Sequence, residues 1–253
     1  MELRWEPTVT KFAIFSSVVL CLCLTITACG GDGDTPENAS GTVSATDLET
    51  LTQKAVKKQE IGAFEEAVEL LDLALSTHRQ YLPAHVRMGH VYREWDRRKE
   101  AIRAYEQALA IDSGNVESRL GLAEVYSKMN RNDMAIREYL KIAETRPDDS
   151  EIHFKTALEY WYIQNLEGAA RHYNKVIDIS PGHVQAHLNL ASVYEKMKEW
   201  DRAIEEIAIA QRIGRENNDE YAISIAEKKL GFIKGRMNLS KEEFNRRIQP
   251  PFE

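Results

Sequence analysis

Small and aromatic residues return along the middle of the chain with one fixed period. Ala67, Ala101, Ala135, Ala169 and Ala203 are 34 residues apart each time. Tyr92, Tyr126, Tyr160 and Tyr194 form a second ladder, and Ala55, Gly89, Ala123, Ala157 and Ala191 a third, three residues ahead of the tyrosines. Tyr105, Tyr139 and Tyr173 follow their alanines by four, with Leu71 and Ile207 in the equivalent places. Residues three or four apart share a helical face. Each period therefore predicts two helices, with turn-prone Gly62, Asn130 and Lys198-Glu199 between them. Such a helix pair cannot bury its apolar stripe alone; stacking on its neighbours buries it. The pattern predicts an all-α solenoid, a partial superhelix over 46–217, built of five helix–turn–helix repeats at 48–81, 82–115, 116–149, 150–183 and 184–217. Ala or Gly falls where backbones approach closely, so a larger side chain at Ala135 should cost about 1–3 kcal/mol by overpacking. Ile223, Ala226, Leu230 and Ile233 predict a capping helix within 218–236. In 237–253, Ser240-Lys241-Glu242-Glu243 predicts a capping box that starts a short last helix before the tail.

These spacings resemble the tetratricopeptide repeat (TPR) family, whose pattern is W-x2-L-G-x2-Y…A-x3-F…P. Met88-Gly89…Tyr92…Ala101…Tyr105 matches it, as does Leu122-Ala123…Tyr126…Ala135…Tyr139…Pro147. The fourth and fifth repeats match through Ala157…Tyr160…Ala169…Tyr173…Pro181 and Leu190-Ala191…Tyr194…Ala203. The Trp position departs throughout, carrying Leu51, His85, Arg119, His153 and His187, and the first repeat has Lys54 and Lys58 where Leu and Tyr belong.

The N-terminal segment has a different character. Phe12 to Ile26 is an apolar run broken only by Ser16, Ser17 and Thr25, with Arg4 and Lys11 before it. A bilayer-spanning helix needs about 20 apolar residues, so the run suits a secretory leader better than a permanent span. Ile26-Thr27-Ala28-Cys29-Gly30 resembles the bacterial lipoprotein signal, which implies cleavage after residue 28 and a lipid on Cys29. A conventionally cleaved signal or an uncleaved anchor is the alternative. Residues 29–45, small and polar after Cys29, predict a flexible tether. The expected location is the bacterial cell envelope, membrane-anchored and facing the periplasm or the exterior.

Composition narrows the function. The chain has 253 residues, 43% hydrophobic and 29% charged, with a formal net charge of −7. That balance disfavours nucleic acid as a partner. All three cysteines (Cys21, Cys23, Cys29) precede the repeats, so the body holds no cysteine for a disulfide or a zinc site. His85, His153 and His187 recur at one repeat position, which spreads them along the stack and points to structural filler rather than a metal site. Glu65-Glu66 and Glu205-Glu206 fall where solvated helix faces are expected. No nucleophile motif, Walker loop or dinucleotide fingerprint is present. No enzyme activity, cofactor or metal is expected.

A stack of helix pairs offers an extended concave surface to another polypeptide. The TPR resemblance implies that leading helices line it through their second, fifth, ninth, twelfth and thirteenth positions. In the fourth repeat these include Phe154, Leu158, Trp161 and Tyr162. The flanking repeats add Leu120 and Glu124 on one side, and Leu188, Ser192 and Glu195 on the other; the second adds His90 and Arg93. The Lys and Asn with which some family members grip a terminal carboxylate are missing from the fifth and ninth positions, which hold Val86 and His90, Leu120 and Glu124, Phe154 and Leu158. The expected partner is a protein or peptide with an apolar segment, anchored by Phe154, Trp161 and Tyr162. Two alternatives stand: these aromatics pack internally, or the chain's own tail, with Ile248 and Phe252, fills the groove. The overall plan resembles lipidated TPR adaptors of the envelope, such as pilotin-like proteins that help assemble pilus secretins. An accessory subunit recruiting an envelope hydrolase or protease is the second expectation.

Overall fold

The computed structural model describes residues 45–238 and 240–248. The leader, Cys29, most of the tether, and the tail from Gln249 lie outside the described residues. Leading helices are α1 (Ala45–Glu60), α3 (Leu82–Glu94), α5 (Val116–Lys128), α7 (Ser150–Tyr162) and α9 (Val184–Met197). Their trailing partners are α2 (Phe64–Thr77), α4 (Arg98–Ile111), α6 (Asn132–Thr145), α8 (Leu166–Ile179) and α10 (Trp200–Glu216). Then follow α11 (Glu220–Met237) and α12 (Lys241–Arg247), and among the described residues there is no strand. Each helix from α1 to α11 packs on its chain neighbour, α12 packs on α10, and α1, α3 and α5 also touch in sequence. The molecule is an all-α solenoid whose leading helices share one wall.

One backbone device repeats at every turn inside a repeat. Gly62, Asp96, Asn130, Gln164 and Lys198, again 34 residues apart, all take positive φ (75°, 58°, 55°, 59° and 64°). The left-handed residue lets the next amide turn back on the helix it has left. Arg97, Arg131, Asn165 and Glu199 donate N–H to the carbonyls of Tyr92, Tyr126, Tyr160 and Tyr194 at 2.8–2.9 Å. This is the six-to-one bond of a Schellman ending. Glycine and asparagine take such a conformation readily. Asp96, Gln164 and Lys198 have less intrinsic preference for it and are held there by that bond.

The alanine ladders do what close approach requires: Ala55, Ala67, Ala101, Ala123, Ala135, Ala157, Ala169, Ala191 and Ala203 are fully buried. Tyr105 fills the space between Gly89 and Gly121, and a methyl at either glycine would overlap its ring. The core is a row of three clusters, over α1–α4, α3–α7 and α7–α12, rather than one centre, as stacked units dictate.

A polar bond fastens each leading helix after the first to the loop before it. His85, His153 and His187 donate Nε2–H to the carbonyls of Arg79, Pro147 and Pro181, six residues earlier, at 2.8, 2.9 and 3.0 Å. Arg119 does the same from Nη2 to the Ser113 carbonyl at 2.5 Å. The histidines are therefore fasteners as well as filler. Glu206 corrects the expectation of a solvated face: its carboxylate lies 2.6 Å from His187 Nδ1, with the side chain 16% exposed.

At the far end, Ser240 accepts from the Glu243 amide at 3.1 Å, one half of the expected capping box. The other half does not form, because the Glu243 carboxylate binds Arg246 and Arg247 instead. Phe244 is buried, Ile248 packs on the last cluster, and Arg247 bonds Asp201 of α10. This segment docks beside α10. Phe252, the other half of the tail-in-groove alternative, lies outside the described residues.

Candidate functional site: a cleft in the leading-helix wall

Polar bridges seam the leading helices together on either side of the fourth repeat. From α3, Arg93 donates Nη1 to Glu124 Oε2 at 2.5 Å, and from α7, Lys155 donates to Glu124 Oε1 at 3.0 Å. Glu124 thus stands between two cations, its charge spent within the wall. His90 lies 3.5 Å from Glu117 and against the Tyr105 ring. Burial holds its imidazole below the usual histidine range, with the Glu117 carboxylate opposing that shift. Toward the C-terminal end, Lys229 of α11 donates to Ser192 at 2.8 Å and Glu195 at 3.1 Å on α9.

Between α7 and α9 the seam changes. Among the described residues no ion pair joins these two helices. Lys196 lies over the Trp161 ring at 4.4 Å and donates to the Gln164 side-chain oxygen at 2.6 Å. A cavity of about 230 Å³ opens here, lined by Leu158, Trp161, Tyr162, Tyr173, Asn189 and Ser192. Asn189 donates to the Tyr173 hydroxyl at 3.2 Å. Burial pushes the Tyr173 phenol up to about 12, against the lowering pull of that bond, so the floor of the cleft is a neutral donor–acceptor pair.

The structure separates the residues that sequence placed together. Trp161 and Leu158 line the cleft, and Tyr162 stands at its edge 63% exposed. Phe154 does not project beside them: its ring meets Tyr173 edge-on at 5.7 Å and stacks on His183 at 5.0 Å. Leu188 corrects its expected place in the groove, being 3% exposed within the core of repeats four and five. Leu120 packs on the middle cluster. The internal-packing alternative thus describes Phe154, Leu120 and Leu188; Leu158 and Trp161 pack on the core with one side and line the cleft with the other, and Tyr162 is exposed.

On the other side of Tyr162 is a depression of about 450 Å³ with Ser127, Asn130 and Asn132. Beneath it Glu159 is buried (4% exposed) where repeats two, three and five carry Val91, Val125 and Val193. Ser127 Oγ and Asn132 Nδ2 each donate to it at 2.6 Å, which satisfies a carboxylate that burial would otherwise penalise. Repeat positions could not reveal Tyr173 and Asn189, which reach the cleft from a trailing helix and an off-ladder position. Among the described residues no group of three or more His, Cys, Asp or Glu could hold a metal ion.

No curated protein matches the chain in sequence. Several solved structures share its fold. A MamA crystal structure aligns with TM-score 0.63 and 18% identity, over 68% of this chain and 94% of its own. MamA from Desulfovibrio magneticus RS-1 aligns with TM-score 0.60 and 15% identity, over 67% and 96%. YrrB, described as a TPR protein with an unusual peptide-binding site, aligns with TM-score 0.61 and 23% identity, over 72% and 92%. The tetratricopeptide repeat model matches residues 95–158 and 164–227, just over half the sequence. With its period, its Schellman turns and its paired helices accounted for, the chain belongs to the tetratricopeptide repeat family.

Proposed function

We propose that the protein is a non-catalytic docking adaptor of the bacterial envelope, tethered through a lipid on Cys29, which holds a polypeptide segment at the α7–α9 cleft and assists assembly of an envelope complex such as a pilus or secretin. The observation that carries the docking part is the break in the seam. On either side ion pairs join neighbouring helices of the wall, Arg93–Glu124–Lys155 and Lys229–Glu195, whereas here an exposed Tyr162 and a part-buried Trp161 border a cleft that no ion pair crosses. Rings at a recess supply large contact area at low entropic cost, as binding hot spots do. The peptide-binding site named for YrrB lends support at the level of a shared fold. The leader and its Ile26-Thr27-Ala28-Cys29 ending support the anchor.

A photo-crosslinking residue at Tyr162 in the native cell tests the docking, with exposed Tyr221 on α11 as the control site. The expected outcome is a discrete protein adduct from 162, absent from 221, and lost when Trp161→Ala is added at unchanged melting temperature. Equal adducts from both sites, or one indifferent to Trp161→Ala, would overturn it. For the anchor, Cys29→Ser should move the protein from the membrane fraction to a soluble or unprocessed form. Unchanged fractionation and processing would remove the lipid.

A further inference from the structure

The α7–α9 cleft continues toward the C-terminal end into a second cavity of about 360 Å³, and the two share Trp161 and Ser192. Four cations line that cavity (Lys196, Lys198, Lys229 and Arg236) against one carboxylate, Glu195. Glu195 is already engaged by Lys229 at 3.1 Å. Lys196 has only the Gln164 amide oxygen and the Trp161 face, and Arg236 lies over the Phe232 ring at 5.4 Å. Among the described residues no carboxylate lies within ion-pair distance of Lys196, Lys198 or Arg236. Trp200 and Phe232 also line the recess, Phe232 with 54% of its surface exposed. A chain of net charge −7 has thus placed a surplus of positive charge and rings beside the α7–α9 cleft.

We propose that this recess receives an acidic stretch of the partner polypeptide, with carboxylates against Lys196, Lys198 and Arg236 and a neighbouring apolar side chain in the Leu158–Trp161 cleft. This rests on the docking function proposed above and assigns its ligand chemistry. A protein carboxylate fits the recess on the evidence of Glu195, which the same rim already accommodates through Lys229. Complementary charge steers encounter and sets register, while the apolar anchor supplies the contact area. An anionic bilayer, being flat, is better met by cations on a projecting surface than by cations lining a hollow between helices.

The test is selection of a random dodecapeptide library on the full chain, purified in non-ionic detergent. The expected winners carry an aromatic or large aliphatic residue flanked by Asp and Glu. A synthetic winner should bind with quenching or a shift of tryptophan fluorescence and weaken at high salt. Its affinity should fall about tenfold or more in the triple variant Lys196→Glu, Lys198→Glu, Arg236→Glu. Selection on that variant should switch the flanks to Lys and Arg, with unchanged helix content and melting temperature as the folding control. Winners with apolar anchors but no acidic bias would overturn this inference and leave the docking function standing. No winners at all would overturn both. Binding to phosphatidylglycerol vesicles that the triple variant abolishes, with no acidic bias among the peptides, would reassign the recess to a membrane surface and overturn the proposal.

Discussion

In repeat four the ring of His153 faces His172, and in repeat five, 34 residues on, the ring of His187 faces Glu206. Both leading-helix histidines spend Nε2–H on a loop carbonyl, so the partner on Nδ1 decides the chemistry. His153 Nδ1 then accepts the Nδ1–H of His172 at 3.1 Å. His187 Nδ1 meets the Glu206 carboxylate at 2.6 Å, so this ring faces an acceptor on each nitrogen. The same slot in repeat three holds Arg119 and Glu138 at 2.8 Å. In repeat two it holds His85 and Ala104, with His85 Nδ1 lacking a hydrogen-bond partner among the described residues. In repeat one it holds Leu51 and Leu70. The fold demands the tie to the preceding loop in repeats two to five. What faces the other side of that side chain is left to local chemistry, from charge pair to apolar contact.

Removing the partner in repeat five should have the largest effect. Glu206→Ala leaves the nearly buried His187 with one nitrogen facing an emptied site, and the expected loss is about 3 kcal/mol. Glu206→His rebuilds the arrangement of repeat four and should cost no more than about 1 kcal/mol. Urea midpoints of the two variants, at a common slope, measure the difference. Equal losses would mean that the slot tolerates nothing but the carboxylate.

Repeat four should instead show itself through pH. Burial lowers the His172 imidazole to about 4, and the neighbouring His153 and Arg171 push the same way. Its unfolded counterpart titrates near the ordinary 6.5. Between these values the unfolded chain takes up a proton that the folded chain refuses, so ν for the unfolded state is the larger and stability rises with pH. The contribution is complete above about 6.5, declines as pH falls toward 4, and amounts to no more than about 3 kcal/mol once both limits are spanned. His172→Gln should flatten that part of the profile. A profile that this substitution leaves unchanged would assign the acid sensitivity elsewhere.

The repeats were legible in the sequence because close packing permits only small residues at Ala67, Ala101, Ala135, Ala169 and Ala203, and each is fully buried. Gly62, Asn130 and Lys198 marked three turns, and Asp96 is a residue type that tolerates the left-handed conformation, but Gln164 carries no such signal. Capture of the Tyr160 carbonyl imposes its conformation, which no side-chain preference announces. At the cleft, Trp161 and Tyr162 followed from repeat position. Phe154 did not, because whether an aromatic at a wall position points out or in depends on what lies opposite. Here that is Tyr173 and His183. Lys229 and Arg236 escaped the period altogether. The 17-residue α10 is three residues longer than the other trailing helices after the first repeat, so α11 starts 36 residues after α9 rather than 34. A ladder extended into α11 therefore points at the wrong side chains.

The slot of repeat three sets the lower end of the series. Glu138 accepts from Arg119 at 2.8 Å and from Lys141 at 2.8 Å, and its side chain is 12% exposed against 18% for Arg119. The geometry is as close as in repeat five, but the consequences of losing the charge differ. Arg119 keeps the Ser113 carbonyl and reaches water, whereas His187 has almost no exposed surface to fall back on. Glu138→Gln retains an acceptor for Arg119 and gives up the ionic part alone, which at a partly solvated site is worth about 1 kcal/mol or less. That loss should shrink further in 0.5 M salt, where screening reaches solvent-accessible pairs within a few ångströms, while the loss from Glu206→Ala should barely move. Unfolding of both variants at low and high salt puts the two junctions on one scale. A Glu138→Gln loss as large and as salt-independent as that of Glu206→Ala would mean that burial does not set the rank of these junctions, and that the loop tie itself depends on the charge behind it.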